Sequence, residues 1–192
     1  ELPNGKIYDS RPGSGTGDAI GNSENSTSTG FNTRKYLNKE DVLQPNNGGI
    51  NIILMRYAEI LLIYAEAKIE ANEIDQSVLD AINKVRSRQD VKMPPVTVLG
   101  SQEELRKIVR NERQVELAFE GLRYFDIRRW KIAETVVPGV LYGMTYTDAA
   151  GELKTISIAA FVKVFNKNRD YLWPIPQRER ELNPSLTQNP NW

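Results

Sequence analysis

Three glutamates, Glu112, Glu116 and Glu120, lie four residues apart in the chain. In a helix this spacing places side chains on one face, and Glu112 and Glu116 fall beside an apolar stripe that indicates partial burial. A pair of half-buried carboxyl groups is what a glycoside hydrolase uses as its acid and base. However, the two catalytic carboxyls must face a cleft from opposite sides of a bond, which one helix face rarely provides.

The arginines around these glutamates favour a structural role instead. Guanidinium groups keep nearby carboxylates ionised and lower their pKa, which suits an ion-pair network rather than proton donation. We therefore expect the glutamates to be structural and the chain to contain no catalytic residue. The arginines lie in the same stretch of sequence: Arg106, Arg110, Arg113, Arg123, Arg128 and Arg129.

Aromatic side chains form the second group with a binding chemistry, because their flat faces match the apolar face of a pyranose ring. Trp130 and Trp173 have sequence surroundings that predict packing in the core. Tyr142 and Tyr146 are predicted to project from one face of an exposed hairpin, since strand side chains alternate with period two. Tyr8 lies in a loop that could close over them. Tyr8, Tyr142 and Tyr146 are therefore the predicted ligand-binding residues.

The composition removes several classes of chemistry from this chain. Its 192 residues include no His and no Cys, which excludes Ser-His-Asp triads, thiolate catalysis and the commonest zinc ligands. Lys and Arg number 25, as do Asp and Glu, so there is no basic excess to neutralise nucleic-acid phosphates. No spacing specifies a calcium site, and no run of apolar residues is long enough to span a membrane. We expect no cofactor, no metal and no nucleic-acid partner.

The first 49 residues differ from the rest in composition. They hold eight of the 13 glycines, and residues 10–30 are mostly Gly, Ser, Thr, Asn and Asp. Such a segment buries too little apolar area to offset an ordering entropy of about 1–2 kcal/mol per residue. We predict an irregular loop segment at residues 1–49 and a helical region at residues 50–192. The loop either connects elements of a longer protein or presents side chains to a ligand, the candidates being Tyr8, Arg11 and Asp18.

The helical region opens with a predicted helical hairpin. Residues 52–71 lack Gly and Pro and are rich in Leu, Ala, Ile and Glu, which predicts a long helix. Val78, Leu79, Ile82 and Val85 repeat at helical spacing and predict the second helix. The pair is similar to one tetratricopeptide unit, which needs neighbours to cover its second face. We therefore expect the chain to be part of a longer protein.

Two more helices are predicted after this hairpin. Ser101 and Glu104 form a capping box at the start of a helix that is predicted to run to Gly121. Residues 122–133 are predicted to continue as another helix.

The remainder is predicted to be extended or irregular. Alternation over residues 140–146 and 153–158 predicts a β-hairpin with its turn at residues 148–151. Residues 161–165 fit either a strand or a helix. Residues 171–176 are expected to be extended, because a proline disfavours helix at the residue before it. The predicted fold class is mainly α, with a tetratricopeptide-like helical hairpin, further helices, a small β-hairpin and long irregular loops.

Three groups of motifs follow one another along the chain. They are LMRYAEILLIYAEA at 54–67 with AINKVR at 81–86; Glu112-Arg113, Glu116-Leu117 and EGLRYFDIRRW at 120–130; and LWPIP at 172–176 with Asn183-Pro184 and Gln188-Asn189-Pro190. Each is moderately specific alone. Together, in this order, they resemble the C-terminal region of the SusD/RagB family of outer-membrane nutrient-binding lipoproteins, over about residues 31–192.

The resemblance implies a mostly helical, non-catalytic protein anchored outside the outer membrane of a Gram-negative bacterium. Members of the family hold oligosaccharide, in some cases peptide, for import by a SusC-like TonB-dependent transporter. The implied partners are that ligand, that transporter and the N-terminal portion of the same protein, where the lipid anchor is expected. The family motifs map onto residues whose own patterns already indicate a structural role: Arg56, Glu112, Glu116, Glu120, Arg123 and Trp130.

The sequence is compatible with three functions. The leading one is a non-catalytic glycan-binding component of an uptake system, or a peptide-binding member of the same family. The second is a glycoside hydrolase that uses Glu112 and Glu116. The third is a cytoplasmic tetratricopeptide-type scaffold that binds a protein in a helical groove. The hairpin and the LWPIP motif do not belong to a plain helical scaffold, which disfavours the third.

Overall fold

The structure, a computed structural model, describes residue 5 and residues 8–21, 26–44 and 47–192, without the side chains of residues 39, 42 and 158–161. The chain divides into two compact units. One contains residues up to 50 together with residues 127–192, and the other contains residues 51–126. The division predicted from composition, at residues 49 and 50, stays a prediction.

The described elements confirm a mainly helical chain with one small β-hairpin. In chain order they are α1 (Lys39–Leu43), α2 (Tyr57–Glu70), α3 (Gln76–Arg86), α4 (Gln102–Glu116), α5 (Arg123–Arg129), α6 (Ala133–Val136), β1 (Gly139–Thr147), β2 (Leu153–Lys163) and α7 (Gln177–Leu182). Within the described ranges, no helix combines the length and the apolar character needed to traverse a bilayer.

The unit of residues 51–126 has a core built from three helices. α2 packs against both α3 and α4, and the buried side chains of each helix recur at helical spacing along one face. They are Ala58, Leu62, Ala65 and Ile69 of α2, Val78, Leu79, Ala81, Ile82 and Val85 of α3, Leu105 and Val109 of α4, and Leu117 just after it. The predicted hairpin of α2 and α3 is confirmed, and α4 covers one of its faces.

The opposite face of α2 is also apolar, and it is exposed. At 100° per residue its exposed side chains lie across the helix from the core-facing ones, so the helix is apolar on two sides. We call this face the outer stripe; it consists of Tyr57, Ile60, Ile63 and Tyr64. Two apolar faces are typical of a helix that is packed between two layers of other helices.

Two helices are shorter than their periodicity predicts. α2 begins at Tyr57 rather than at residue 52, because Arg56 is extended (φ −144°, ψ 158°). α4 ends at Glu116 rather than at Gly121, because Phe119 (φ 64°) and Gly121 (φ 80°) turn the backbone into the left-handed region. Both predicted helix ends are therefore wrong, and in each case the chain leaves the helix where side chains make long-range contacts.

The predicted helix at residues 122–133 is also divided. α5 ends at Arg129, and Lys131 has a φ of 54° before α6 begins at Ala133. The capping box is confirmed, since Ser101 accepts a hydrogen bond from the amide of Glu104 and the Glu104 side chain accepts one from Ser101 N. Such a cap stabilises a helix by about 1 kcal/mol.

In the other unit, the opening loop is held against the β-hairpin. β1 and β2 pair in antiparallel fashion, and β2 continues to Lys163, so the ambiguous segment from residue 161 belongs to a strand at its start. Met144 N in β1 donates to Thr29 O at 2.8 Å. The two chains approach so closely that a Cβ on Gly143 would lie 2.6 Å from Thr29 O. Glycine at this position permits the contact between loop and strand.

Candidate functional site

The predicted carboxylate cluster is an ion-pair network that converges on Arg56. Its Nε donates to Glu120 Oε1 and Oε2 at 3.0 and 2.8 Å, and its Nη2 donates to Glu120 Oε1 at 2.7 Å. Its Nη1 donates to Glu116 Oε1 at 2.5 Å, and Nη2 also donates to Glu116 O at 2.6 Å. Burial lowers the pKa of Arg56, but these hydrogen bonds to Glu120 and Glu116 outweigh it and raise the pKa above the ordinary value. The guanidinium therefore remains charged.

Two further arginines, at the end of α3 and just beyond it, complete the network. Arg86 Nη1 donates to Glu112 Oε2 at 2.6 Å, and Arg88 Nη1 donates to Glu116 Oε1. Each of the three glutamates thus accepts a hydrogen bond from at least one guanidinium.

The partners differ from those that the sequence suggested. Arg113, one of the arginines neighbouring the glutamates in sequence, donates to both oxygens of Asp126 at 3.0 and 3.1 Å. Arg106 donates to the carboxylate of Glu70 at 2.8 and 2.6 Å. The expectation of arginine-bound glutamates is confirmed, but the arginines that bind them lie 26 to 64 residues away in sequence.

The geometry supports ion pairing rather than acid–base chemistry. A general acid must hold a proton near neutral pH, whereas hydrogen bonds from guanidinium groups favour the carboxylate. Glu120 lies beyond the end of α4, in the turn near Gly121. The expectation that all three glutamates share one helix face is therefore wrong for Glu120.

Tyr142 and Tyr146 do not share a face of the hairpin. Tyr142 pairs with Ser157 and Tyr146 pairs with Lys154, so four steps along β1 correspond to three along β2. This β-bulge shifts the alternation of side chains by one position. Ser157 and Lys154 lie three residues apart on β2 and therefore point to opposite faces of the hairpin. Because each tyrosine points to the same face as the residue it pairs with, Tyr142 and Tyr146 also point to opposite faces, and the predicted shared face is wrong. The assignment of both tyrosines as ligand-binding residues stays a prediction.

Tyr8 belongs to the contact between the opening loop and the hairpin. Its Oη donates to Gly30 O at 3.4 Å, and Ser10 Oγ donates to the same carbonyl at 2.6 Å. Ser10 Oγ also lies 3.4 Å from the sulfur of Met144 in β1. The hydroxyl of Tyr8 helps to hold the loop, while its ring remains partly exposed.

Tyr146 lines an open pocket of about 280 Å³ in the same unit. The opening loop forms one wall and the tip of the hairpin forms the other. The lining residues are Arg11, Pro12, Gly13 and Ser14 on the loop, with Tyr146, Thr147, Asp148 and Ala149 on the hairpin. Of the three tyrosines predicted to bind ligand, Tyr146 is the one in this lining.

The loop wall of the pocket is ordered by Asp9. Arg11 Nε donates to both carboxylate oxygens at 3.0 and 3.1 Å, and Nη2 donates to Oδ2 at 2.6 Å. The hydrogen bonds from the Arg11 side chain and from its amide hold the pKa of Asp9 below its usual value. Ser14 Oγ donates to Asp9 O at 2.8 Å, and Gly13 takes the left-handed conformation (φ 78°) that favours glycine.

The hairpin wall is ordered by Asp148. Its Oδ1 accepts hydrogen bonds from the amides of Ala150 and Glu152, each at 2.9 Å, and its own amide donates to Glu152 O at 2.9 Å. Its Oδ2 lies 3.6 Å from Lys154 Nζ. Both walls of the pocket are thus held by local hydrogen bonds, which fixes the polar groups before any ligand arrives.

The sequence predicts Arg11 and Tyr146 as candidate binding residues but does not predict that they lie together. It places Asp148 in a turn, and no sequence signal indicates Ser14 or Thr147. The available signal was the position of Asp148 at the start of a predicted turn, where an Asx side chain is held by backbone amides two and four residues on. Nothing in the sequence indicates that this turn faces residues 11–14, because that proximity is tertiary.

The two central tryptophans have opposite environments. Trp130 is buried, as predicted, with the guanidinium of Arg129 4.8 Å from the centroid of its ring. Trp173 is 69% exposed, so its predicted place in the core is wrong. Its carbonyl accepts a hydrogen bond from Asn189 Nδ2 at 2.6 Å, which fixes the backbone there.

Among the residues that the structure describes, no three acidic side chains are grouped so that they could hold a metal ion. The carboxylate of Asp9 is engaged by Arg11.

Comparison with protein-family models matches residues 2–192 to the SusD family. SusD-like protein P2 of Formosa agariphila is 35% identical over 155 residues, which cover 77% of this chain and 27% of the relative. SusD-like protein P38 of the same organism is 30% identical over 155 residues, 77% of this chain and 26% of the relative. The chain therefore spans about a quarter of the length of the curated relatives it matches.

Solved structures give the same result. A SusD-like protein from Bacteroides fragilis matches with a TM-score of 0.62 and 35% identity, covering 74% of this chain and 26% of that protein. A SusD homolog from Bacteroides thetaiotaomicron matches with a TM-score of 0.55 and 26% identity, covering 87% of this chain and 31% of that protein.

Proposed function

The chain belongs to the SusD family, and we propose that it is part of a non-catalytic protein that captures oligosaccharide at the cell surface for uptake. The match of the family model over residues 2–192 is the observation that carries this proposal. The family resemblance implies a nutrient-binding role.

The absence of catalysis is supported by the state of the candidate acids. Glu112 and Glu116 each accept a hydrogen bond shorter than 3 Å from a guanidinium, and both side chains are largely buried within the helical unit. A glycosidase needs one carboxyl that is protonated and facing the substrate. Neither requirement fits carboxylates that serve as arginine partners.

The pocket lined by Tyr146 is the proposed contact for ligand in this part of the protein. An aromatic ring, two hydroxyl side chains and two charged groups line it, which is the mixture of apolar and polar groups that small-molecule sites use. Tyr142 on the opposite face of the hairpin and Tyr8 beside the loop remain further proposed contacts.

The proposed partners include the remaining portion of the same polypeptide, N-terminal to this region. The matched relatives are several times longer than this chain, and the outer stripe of α2 is an apolar face opposite a packed one. We propose that further helices of the full-length protein cover the outer stripe. A lipid anchor in that portion and a SusC-like TonB-dependent transporter in the outer membrane complete the proposed assembly.

Calorimetric titration of the full-length protein against oligosaccharide and peptide panels tests this function. We expect saturable binding of at least one oligosaccharide. Tyr146→Ala should weaken it about tenfold, by analogy with the loss of other aromatic stacking platforms. Leu153→Ala is the control, since it removes an exposed apolar side chain from the same hairpin outside the pocket lining. Binding of peptides alone would identify a peptide-binding member of the family, and binding of neither panel would overturn the proposal.

A further inference from the structure

The two charged groups that line the pocket beside Tyr146 differ in how closely they are paired. Arg11 is paired with Asp9, and Asp148 lies 3.6 Å from Lys154 Nζ. We propose that this pocket selects an uncharged saccharide unit, with Tyr146 as the stacking surface, Arg11 as hydrogen-bond donor and Asp148 as acceptor. The inference rests on the proposed function and adds to it the class of ligand that this site accepts.

Arg11 provides a fixed donor. Asp9 occupies Nε and Nη2, and among the described residues no hydrogen bond uses Nη1. The bidentate pair sets the plane of the guanidinium, so the position of Nη1 is set as well. A sugar hydroxyl can accept from this nitrogen without the side chain having to reorganise.

Asp148 provides a fixed acceptor in the same pocket. Two backbone amides occupy Oδ1, and the ammonium of Lys154 lies 3.6 Å from Oδ2. That distance exceeds a normal hydrogen bond, so Oδ2 retains capacity to accept from a ligand hydroxyl. Saccharide hydroxyls donate and accept, and therefore match a site that presents one group of each kind.

The charged side chains of this pocket disfavour an anionic ligand. A sulfate or uronate group needs a cation that is not already neutralised, but Arg11 is held by the carboxylate of Asp9 at 2.6 Å. The same group would approach the carboxylate of Asp148. The cation near that carboxylate, Lys154, lies 3.6 Å from Oδ2 and is bound more closely by Glu152 at 2.6 Å, so a repelling negative charge remains. Discrimination between ligands by an unpaired or repelling charge is a common device of specific sites.

The size of the pocket limits what enters it. Its volume of about 280 Å³ is just below the usual range for small-molecule sites, about 300–1,000 Å³. Because the pocket is open, one sugar unit can occupy it while the rest of an oligosaccharide remains outside. The site is thus suited to an end or a branch of a glycan.

Titration of the full-length protein tests the inference with two sets of probes of equal length. The neutral set contains gluco-, manno-, xylo- and galacto-oligosaccharides, and the anionic set contains oligogalacturonate and sulfated galactan fragments. We expect the best neutral probe to bind at least about tenfold more tightly than any anionic one, from the repulsion by Asp148 and the neutralisation of Arg11. Tyr146→Ala and Arg11→Ala should each weaken the neutral probe.

Asp148→Asn separates charge from shape, because the amide oxygen of Asn can keep both backbone hydrogen bonds. It should raise the affinity for the anionic probes about three- to tenfold, as expected for loss of one repelling charge. The difference in affinity between the neutral and the anionic probes should therefore become smaller. Glu179→Gln is the control, since it removes the same charge from an exposed position of the same unit outside the pocket lining, and it should leave the difference in affinity between the probe sets unchanged.

Three results would overturn the inference. Anionic probes that bind as tightly as neutral ones would show that the pocket is not selective. Equal effects of Asp148→Asn and of the control variant would assign the selectivity to the overall charge of the protein rather than to Asp148. If Tyr146→Ala and Arg11→Ala leave the affinity for the neutral probes unchanged, the ligand binds elsewhere in the protein and the proposed function stands. Only failure of every probe to bind would reject the proposed function together with the inference.

Discussion

Arg56 and Glu120 lie 64 residues apart in the chain and form a two-point ion pair, with Nε 2.8 Å from Oε2 and Nη2 2.7 Å from Oε1. The Glu120 side chain is 3% exposed. The pair joins the residue that precedes α2 to the turn that follows α4. It therefore closes one end of the three-helix unit, and the same arginine also binds Glu116.

Removal of Glu116 should destabilise the protein strongly. Its carboxylate accepts from Arg56 and Arg88 and is 10% exposed, so Glu116→Ala removes one carboxylate partner from each of two guanidinium groups. A loss of about 3 kcal/mol in the free energy of unfolding is expected for a largely buried pair. Glu103→Ala breaks only an exposed pair with Lys107 and should cost less than about 1 kcal/mol. Urea unfolding of both variants measures the difference, and equal small effects would mean that the network is solvated.

The chain should not hydrolyse glycosides. Glu112 and Glu116 are bound by arginines and lie on one helix, so they do not flank a bond from opposite sides as a catalytic acid and base must. Incubation with poly- and oligosaccharides should release no reducing ends above background. Release that is lost in a Glu116→Gln variant, while binding persists, would establish the alternative of a glycoside hydrolase.

Gly143→Ala should separate the opening loop from the hairpin. The new Cβ would lie 2.6 Å from Thr29 O, so the strand or the loop must move, at a cost of about 1–3 kcal/mol for overpacking. Hydrogen exchange at the amide of Met144, which donates to Thr29 O, should accelerate. Gly17→Ala is the control, because a Cβ there meets nothing within 4 Å and Gly17 does not require a positive φ. An unchanged Met144 amide in Gly143→Ala would contradict the close contact.

The carboxyl group of Asp75 should titrate near pH 2. A hydrogen bond from the Lys68 ammonium, followed by one from the Ser77 hydroxyl, lowers its pKa from 3.8 to about 2. Because the folded-state pKa is lowered, its stabilising contribution is present above about pH 4 and is lost as the pH falls through about 2. Carbon-detected NMR of the side chain gives the midpoint directly.

Two variants separate the contributions at this position. Asp75→Asn keeps an amide oxygen that can cap α3 through Ser77 N, so the stability advantage of the wild type over this variant should vanish towards pH 2. Lys68→Met should return the pKa of Asp75 towards 3.8. A wild-type midpoint already near 3.8 would show that the ion pair does not form.

The outer stripe of α2 should matter only in the longer protein. Ile63 is 45% exposed in this chain, so Ile63→Lys should change the unfolding free energy of the 192-residue chain by no more than about 0.5 kcal/mol. If further helices cover the stripe, the same substitution buries an unpaired charge and should lower the stability of the full-length protein by several kcal/mol, on the order of 3. Thermal unfolding of both lengths provides the comparison, and a full-length protein that tolerates the lysine would leave the stripe uncovered. Analytical ultracentrifugation tests whether a second copy covers it instead.

The sequence by itself determined the features whose signals are local. Ser101 and Glu104 contact each other across three residues, and the apolar spacing of α3 lies within a single helix, so periodicity and capping rules were sufficient for both. The motif order identified the family because it records many positions at once. The same local rules indicated that Glu112 and Glu116 are arginine-bound.

Only the tertiary structure decided which residues meet. The partners of Glu116 are Arg56 and Arg88, 60 and 28 residues away, and no spacing rule connects them. One extra residue in β1 reversed the orientation of Tyr146 relative to Tyr142, because alternation depends on register and a bulge leaves the apolar pattern unchanged. The pocket exists because residues 11–14 lie against residues 146–149, and such proximity arises from the path of the whole chain rather than from any segment of it.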